Sequence, residues 1–445
     1  MKRESPFFIT VCCLAIPVAL QSMLQASFGV VDQIMLGQLG SVSVAGVGLA
    51  GKFAGIVSVI VAAIGSVAGI MISQYLGQNN TPEVRKSFYT NMLLACGIAG
   101  LFTILCTLFP GKIMGLYTTD LATSRAAANY LAIAACSFLP MAGVTLFSTL
   151  LRCMEKARLP LYASIVSAVI NTGLNYILIF GKCGFAPMGA NGAAIATAIS
   201  QCVNFLLMLF LMPVQNSPLA RTAGNISVTA QLNWKQYGAM LFPILVCEVV
   251  WSLGENVYAA IYGHMGTESS AAMTLTGPIQ GLMIGALCGL SQAAGVIIGK
   301  KLGNKEYEEA YQSSQKLILY GAAGAAVLSA VIILTGSVYV EIYQVEPYVK
   351  QLTSQILFAY ALVAPFKVLN MILGGGILRS GGKTKYVMVI DMIGTWGFGV
   401  PLGLLAAFVL RLTIPYVYFI LSLEECIRFG ISVLVFRRRK WMQSL

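Results

Sequence analysis

The chain has 445 residues, 58% of them hydrophobic and only 10% charged, with a mean hydropathy of +0.81. A soluble domain carries about 25% charged residues, so these values exclude one and indicate an all-α integral membrane protein. The net charge of +12 does not point to nucleic acid, because the basic residues lie scattered in short connections; membrane topology accounts for them.

The N-terminal stretch MKRESPFFITVCCLAIPVAL has a basic start and an apolar run, but no small-residue cleavage site before QSMLQ, so it reads as a retained first helix. Taking Gly, Pro, Asn and charge clusters as breaks predicts twelve spans, at about 7–36, 44–75, 87–110, 121–148, 160–180, 190–213, 237–262, 270–298, 314–340, 352–377, 385–408 and 412–436. The first contains Asp32. A carboxylate at membrane depth costs roughly 3 kcal/mol or more unless it faces a cavity or a partner, which marks Asp32 as functional; the plainer alternative is that it meets water at the outer helix end. Met23 and Phe28, with Trp251 and Tyr258 further on, are candidates to line an apolar cavity. In the second span Lys52 is expected to snorkel to the outer interface, and Gly65 and Gly69 to let helices pack closely.

The fifth span places Asn171 and Asn175 one turn apart on one face, where polar amides can act as glue between helices. Thr197 in the sixth span offers a hydroxyl. The seventh holds Glu248 and Glu255, seven residues apart on similar faces and without a basic neighbour in their own helix, and which of the two faces a cavity stays open. His264 falls at an outer turn and is expected to be solvated. Lys367, beside Pro365 in the tenth span, is a counter-charge for a carboxylate of the second half. Asp391 lies about two turns inside the eleventh span, within reach of cytoplasmic water. Glu424, Glu425 and Arg428 in the twelfth have the spacing of a structural intrahelical pair. The eleven Cys lie mostly inside apolar runs without metal-ligand spacing, so they read as small hydrophobes, with no metal site.

Alternating the connections puts 21 of the 28 Lys and Arg on one side and five on the other, which predicts both termini in the cytoplasm and an even helix count. The segment from Pro17 also repeats without a gap from Pro243, an offset of 226 residues. Pro17, Val31, Gly37, Gly40, Gly51, Gly69 and Gly77 recur as Pro243, Val257, Gly263, Gly266, Gly277, Gly295 and Gly303, and LLRCMEK (150–156) recurs as ILRSGGK (377–383). Two six-helix lobes are predicted, over 1–213 and 237–445, joined by a cytoplasmic linker at 214–236. Tyr258 stands at the repeat position of Asp32.

The stretches VDQIMLGQLGSVSVAGVGLAG (31–51), SQYLGQNN (73–80), LLRCMEKARLPLYASIVSAVINTGLNYILIFG (150–181), GANGAAIATAISQ (189–201), GILRSGGKTK (376–385) and WGFGVPLGLL (396–405) resemble the multidrug and toxic compound extrusion (MATE) family. CEVVWSLGENVYAAIYGHMGT (247–267) and LEECIRFGISVLVFRRRKW (423–441) are similar to its bacterial branch with the DinF-like proteins. The resemblance implies a V-shaped pair of six-helix lobes around a central cavity, in the inner cell membrane. It implies antiport of organic, often cationic, compounds against protons or sodium, with Asp32 as the ion or proton site. Family members often have Asn then Asp where this chain has Asn171 and Asn175, forming a cation site with the first-helix aspartate; here that site has one carboxylate fewer, which favours protonation of Asp32 over a sodium site there. A glutamate of the seventh helix, Glu248 favoured over Glu255, would with Tyr258 and Lys367 serve cargo binding or second-half coupling. The expected partners are small organic substrates and the bilayer, with a monomeric protein, no nucleic acid and no cofactor beyond the coupling ion. There is no GxxxxGK[ST] loop for ATP. The alternatives are a lipid-linked saccharide flippase of the same superfamily, which would line its cavity with basic residues, or a channel.

Overall fold

The computed structural model describes residues 7–39, 41–118, 120–212, 234–341, 343 and 345–445, and among these it contains helices and no strand. The first half of the chain forms α1 (Phe7–Gly37), α2 (Ser41–Gly77), α3 (Thr81–Leu108), the short α4 (Pro110–Gly115), α5 (Leu121–Ala134), α6 (Phe138–Cys153), α7 (Arg158–Phe180) and α8 (Gly189–Leu211). The second half forms α9 (Trp234–His264), α10 (Thr267–Gly303), α11 (Tyr307–Glu341), α12 (Pro347–Asn370), α13 (Lys385–Met392), α14 (Val400–Leu404), α15 (Ile414–Ser422) and α16 (Glu424–Arg437). A 3₁₀ turn, Ala135–Ser137, joins α5 to α6 into one span, Leu121–Cys153. The linker predicted at 214–236 falls largely outside the described residues, as do Lys2, Arg3, Gly40 and Arg221.

Local chemistry sets the helix ends. Asn80 caps α3 by accepting from the Glu83 amide at 3.3 Å, with Pro82 in the first turn where a missing N–H costs nothing. Asp120 caps α5 in the same way through the Thr123 amide. At the end of α7, Gly181 turns left-handed with φ +67°, and the Pro187 nitrogen comes so near that a Cβ would stand 2.6 Å from it.

Eleven described helical spans are long and apolar enough to cross a membrane. The twelfth expected span is present but broken: α15 and α16 are separated at Leu423, where the Cys426 amide donates to the Leu423 carbonyl at 3.0 Å in an i→i+3 bond. The break puts Glu424 and Glu425 in the first turn of α16, where the helix macrodipole favours carboxylates. Three π-helical stretches, Met371–Leu378, Ile393–Gly399 and Leu405–Val409, interrupt the tenth and eleventh spans. Arg428, counted among the connection charges from the sequence, is instead buried inside α16 at 7% exposure, so it carries no topological information.

The helices form two compact units. The C-terminal unit comprises Met1–Ala19 with Asn233–Leu445, and the N-terminal unit Leu20–Leu232. The division therefore falls inside α1, just after Pro17. In the C-terminal unit, Gly289 lets the backbone of α10 meet that of α1 at Ala15. The end of the chain is tied to this unit as well. Trp441 is fully buried and donates from Nε1 to the Phe436 carbonyl at 3.1 Å, and Arg439 pairs with Glu308 at 2.7 Å over the Tyr311 ring.

In the N-terminal unit, α7 and α8 pack so closely at Gly192 that a Cβ there would lie 2.8 Å from the Leu178 carbonyl. Gly192→Val is expected to lower the stability of the purified protein by about 1–3 kcal/mol, read as a fall in Tm in detergent. Gly173, with open space at its Cβ position, should accept Ala with an unchanged or higher Tm.

Candidate functional site

In the N-terminal unit the first and fifth spans meet at Asp32. Asn175, 1% exposed, donates from Nδ2 to Asp32 Oδ1 at 2.6 Å. One turn before it, Asn171 points its amide at the same carboxylate; with the nitrogen turned toward Asp32 it donates to both oxygens at 3.3 Å. Register here is set by apolar packing. Leu36, one turn after Asp32, and Ile179, one turn after Asn175, share a cluster with Ala193 of α8, and Tyr130 packs on the cluster while interacting electrostatically with Asp32. Below the amides, Ser167 donates to the Ser200 carbonyl at 2.8 Å and ties α7 to α8. Thr197 does not join the group: its hydroxyl donates to the Ala193 carbonyl of its own helix at 2.9 Å. Ser200, which no sequence signal singled out, is the α8 hydroxyl beside Asn171, at 3.3 Å from its side chain.

The C-terminal unit holds a larger charged cluster. Tyr258 of α9, 6% exposed, donates from its phenol to Glu424 Oε2 at 2.6 Å. Arg428 lies 3.7 Å from Glu425, 3.5 Å from Asp391 of α13, and donates to the Thr395 hydroxyl at 2.8 Å. Asn370, at the end of α12, donates to the backbone carbonyl and to Oε2 of Glu425, both at 2.8 Å. The sequence spacing foresaw the Glu425–Arg428 pair, but as a local contact. The structure makes Arg428 a bridge between helices and gives Glu424 a hydrogen bond from Tyr258. Asp391, expected to meet water, ion-pairs with Arg428. Lys367 interacts electrostatically with Glu425, Glu255 and Glu424, the carboxylates of its own half.

The two seventh-span glutamates lie apart from that cluster's hydrogen bonds. Glu248 is 3.6 Å from Arg379. This arginine is the repeat partner of Arg152, which donates to Gln21 on the first span at 2.9 Å. In each unit, then, the repeated arginine reaches a polar residue on the first helix of its half. Glu255 and Trp251 are exposed. His264 is exposed too, with Nδ1 against the Ala260 carbonyl at 2.8 Å. Among the described residues no group of His, Cys, Asp and Glu has the geometry of a metal site.

A helical bundle of membrane length, built twice on one sequence pattern and carrying a buried polar crossing in each half, defines a multi-pass membrane transporter. The MatE family model matches residues 17–177 and again 243–405, so the chain belongs to the MatE family. The two matches begin 226 residues apart, the offset of the repeat. The chain is 22% identical to the transporter YisQ of Bacillus subtilis, covering 100% of this chain and 97% of that protein. It is 24% identical to the probable multidrug resistance protein NorM of Thermotoga maritima, covering 96% and 92%. The fold matches a MATE transporter crystallised with MaL6 at a TM-score of 0.89 and 16% identity, over 98% of this chain and 97% of that one.

Replacing Arg428 by Met would leave the buried Glu425 and the half-buried Asp391 without this cation. The expected loss is about 3–5 kcal/mol, visible as a sharp drop in Tm of the purified protein. Thr395→Ala removes one neutral hydrogen bond and should cost only about 0.5–1.5 kcal/mol.

Proposed function

We propose that this transporter exports organic, cationic or amphipathic compounds across the cytoplasmic membrane by alternating access, in exchange for entering protons. The observation that carries the reading is the Asp32 carboxylate facing two amides, Asn175 at 2.6 Å and Asn171 one turn away. A carboxylate held this way can lose and regain a proton without losing its partners, because an amide offers a donor to the ionised form and an acceptor to the protonated one. Sodium binds through oxygen ligands, and here one carboxylate faces amide nitrogens, which favours the proton. Export of organic compounds is supported by the MatE membership and by the naming of the Thermotoga relative as a probable multidrug resistance protein. The excess of basic residues on alternate connections supports both termini in the cytoplasm.

The test is transport of a fluorescent organic cation by the purified protein in liposomes, with proton and sodium gradients imposed separately. Uptake should follow the proton gradient in the wild type, and Asp32→Asn should abolish the coupling; full coupled transport by Asp32→Asn, or dependence on sodium alone, would overturn the reading. Asn175→Asp adds a second carboxylate beside the first. It should introduce sodium sensitivity that the wild type lacks, measured as a sodium-dependent change in transport at constant pH.

A further inference from the structure

The residues after α16 fold back onto the C-terminal unit. α16 ends at Arg437, and Arg439 takes the left-handed conformation at φ +56°, which reverses the chain. Aromatic packing holds the reversal: Trp441 stacks on Phe436 at 5.8 Å, Phe436 stacks on Tyr311 of α11 at 4.8 Å, and Arg439 lies over the Tyr311 ring at 3.9 Å. The Trp441 carbonyl then meets Gly381, in the turn that follows the tenth span, where a Cβ would overlap it. Thr384 of that turn is anchored in its own right, its hydroxyl donating to the Met240 carbonyl at 2.9 Å. Lys383 and Lys385 follow directly on the contact with the tail.

Together the tail and the turn carry Arg437, Arg438, Lys440, Lys383 and Lys385, whose side chains make no hydrogen bond or ion pair among the described residues. All but Lys383 are exposed. The two glutamates that open α11 are already engaged, Glu308 by Arg439 at 2.7 Å and Glu309 by Lys301 at 2.8 Å. Charge of one sign, fixed by the backbone and paired to no carboxylate, attracts an anion from outside the protein. Because α16 is the last part of the twelfth span, these side chains leave the bilayer at the level of the lipid headgroups. We infer that this surface is a binding site for the phosphate headgroup of an anionic phospholipid, held by Arg437, Arg438 and Lys440 with Lys383 and Lys385 beside them. A guanidinium offers a phosphate paired N–H donors, and an ammonium adds a point charge. Fixed geometry separates this site from a loose basic segment: Trp441 is fully buried, so it positions the charges instead of entering the bilayer. The site is independent of the ion that drives transport.

Native mass spectrometry of the full-length protein, released from mixed micelles with equal amounts of phosphatidylglycerol and phosphatidylcholine, counts the lipids that stay bound. The wild type should retain phosphatidylglycerol in preference, and added salt should reduce the preference. Each basic residue near an anionic lipid is worth about fivefold in affinity, so Arg437→Gln, Arg438→Gln and Lys440→Gln combined should weaken phosphatidylglycerol binding roughly a hundredfold. Replacing the exposed Arg158, at the start of α7 in the N-terminal unit, by Gln should leave it unchanged. Trp441→Ala keeps every charge but frees the tail, and it should weaken binding too. Equal retention of both lipids by the wild type, or wild-type affinity in the triple variant, would overturn the proposal. Wild-type affinity in Trp441→Ala would overturn it as well, since plain charge attraction would then suffice. If the triple variant does not fold, each single replacement should weaken binding about fivefold, and no change in any of the three would overturn the site.

Discussion

The hydrogen bond from Asn175 to Asp32 is the constraint on which the first half of this transporter is organised. A carboxylate in an apolar helix is expensive to bury alone, by roughly 3 kcal/mol or more, and the amide supplies a compensating donor at 2.6 Å. For that bond to form, α1 and α7 must meet in one register. The apolar contact of Leu36 with Ile179, one turn further along both helices, fixes it. Apolar packing thereby positions the buried carboxylate, and the Ser167–Ser200 bond joins α8 to the same arrangement.

The second half solves the same problem with more charge and less regular backbone. Its crossing holds Glu424, Glu425 and Asp391 against Arg428 and Lys367. The helices that present them are broken at Leu423 and interrupted by π-helical turns at Met371–Leu378 and Ile393–Gly399. A uniform helix presents side chains at fixed angles, whereas a π turn or a break changes the angle of every residue after it. Asn370 stands immediately before one such stretch and bonds both the backbone and the side chain of Glu425, and Thr395 within another receives Arg428. The irregular backbone coincides with the residues that gather the charges.

The repeated framework separates structural from chemical residues. Arg152 and Arg379 occupy the same repeat position and each grips the first helix of its half, through Gln21 and Glu248 respectively. Along its own helix Glu248 has no basic neighbour. Its arginine comes from another span, and a one-dimensional reading has no means of seeing that. The same limit hid the partner of Glu424, whose spacing to Arg428 fitted a local pair although its hydrogen bond comes from a residue 166 positions away.

The sequence by itself determined the membrane class, twelve spans close to their observed ends, the doubled architecture, and Asp32 with Asn171 and Asn175 as a group. Each follows from properties local in the chain or periodic along it: hydrophobic length, the 3.6-residue turn, and a constant offset between halves. Only the tertiary structure decided which carboxylate each arginine neutralises, that Thr197 spends its hydroxyl on its own helix, that the last span breaks before Glu424, and that Tyr258 meets a carboxylate at the place equivalent to Asp32. Those outcomes depend on distances between segments remote in sequence and on local departures from helical geometry. In a low-dielectric interior, charges are placed by their partners across helices rather than by their neighbours along one.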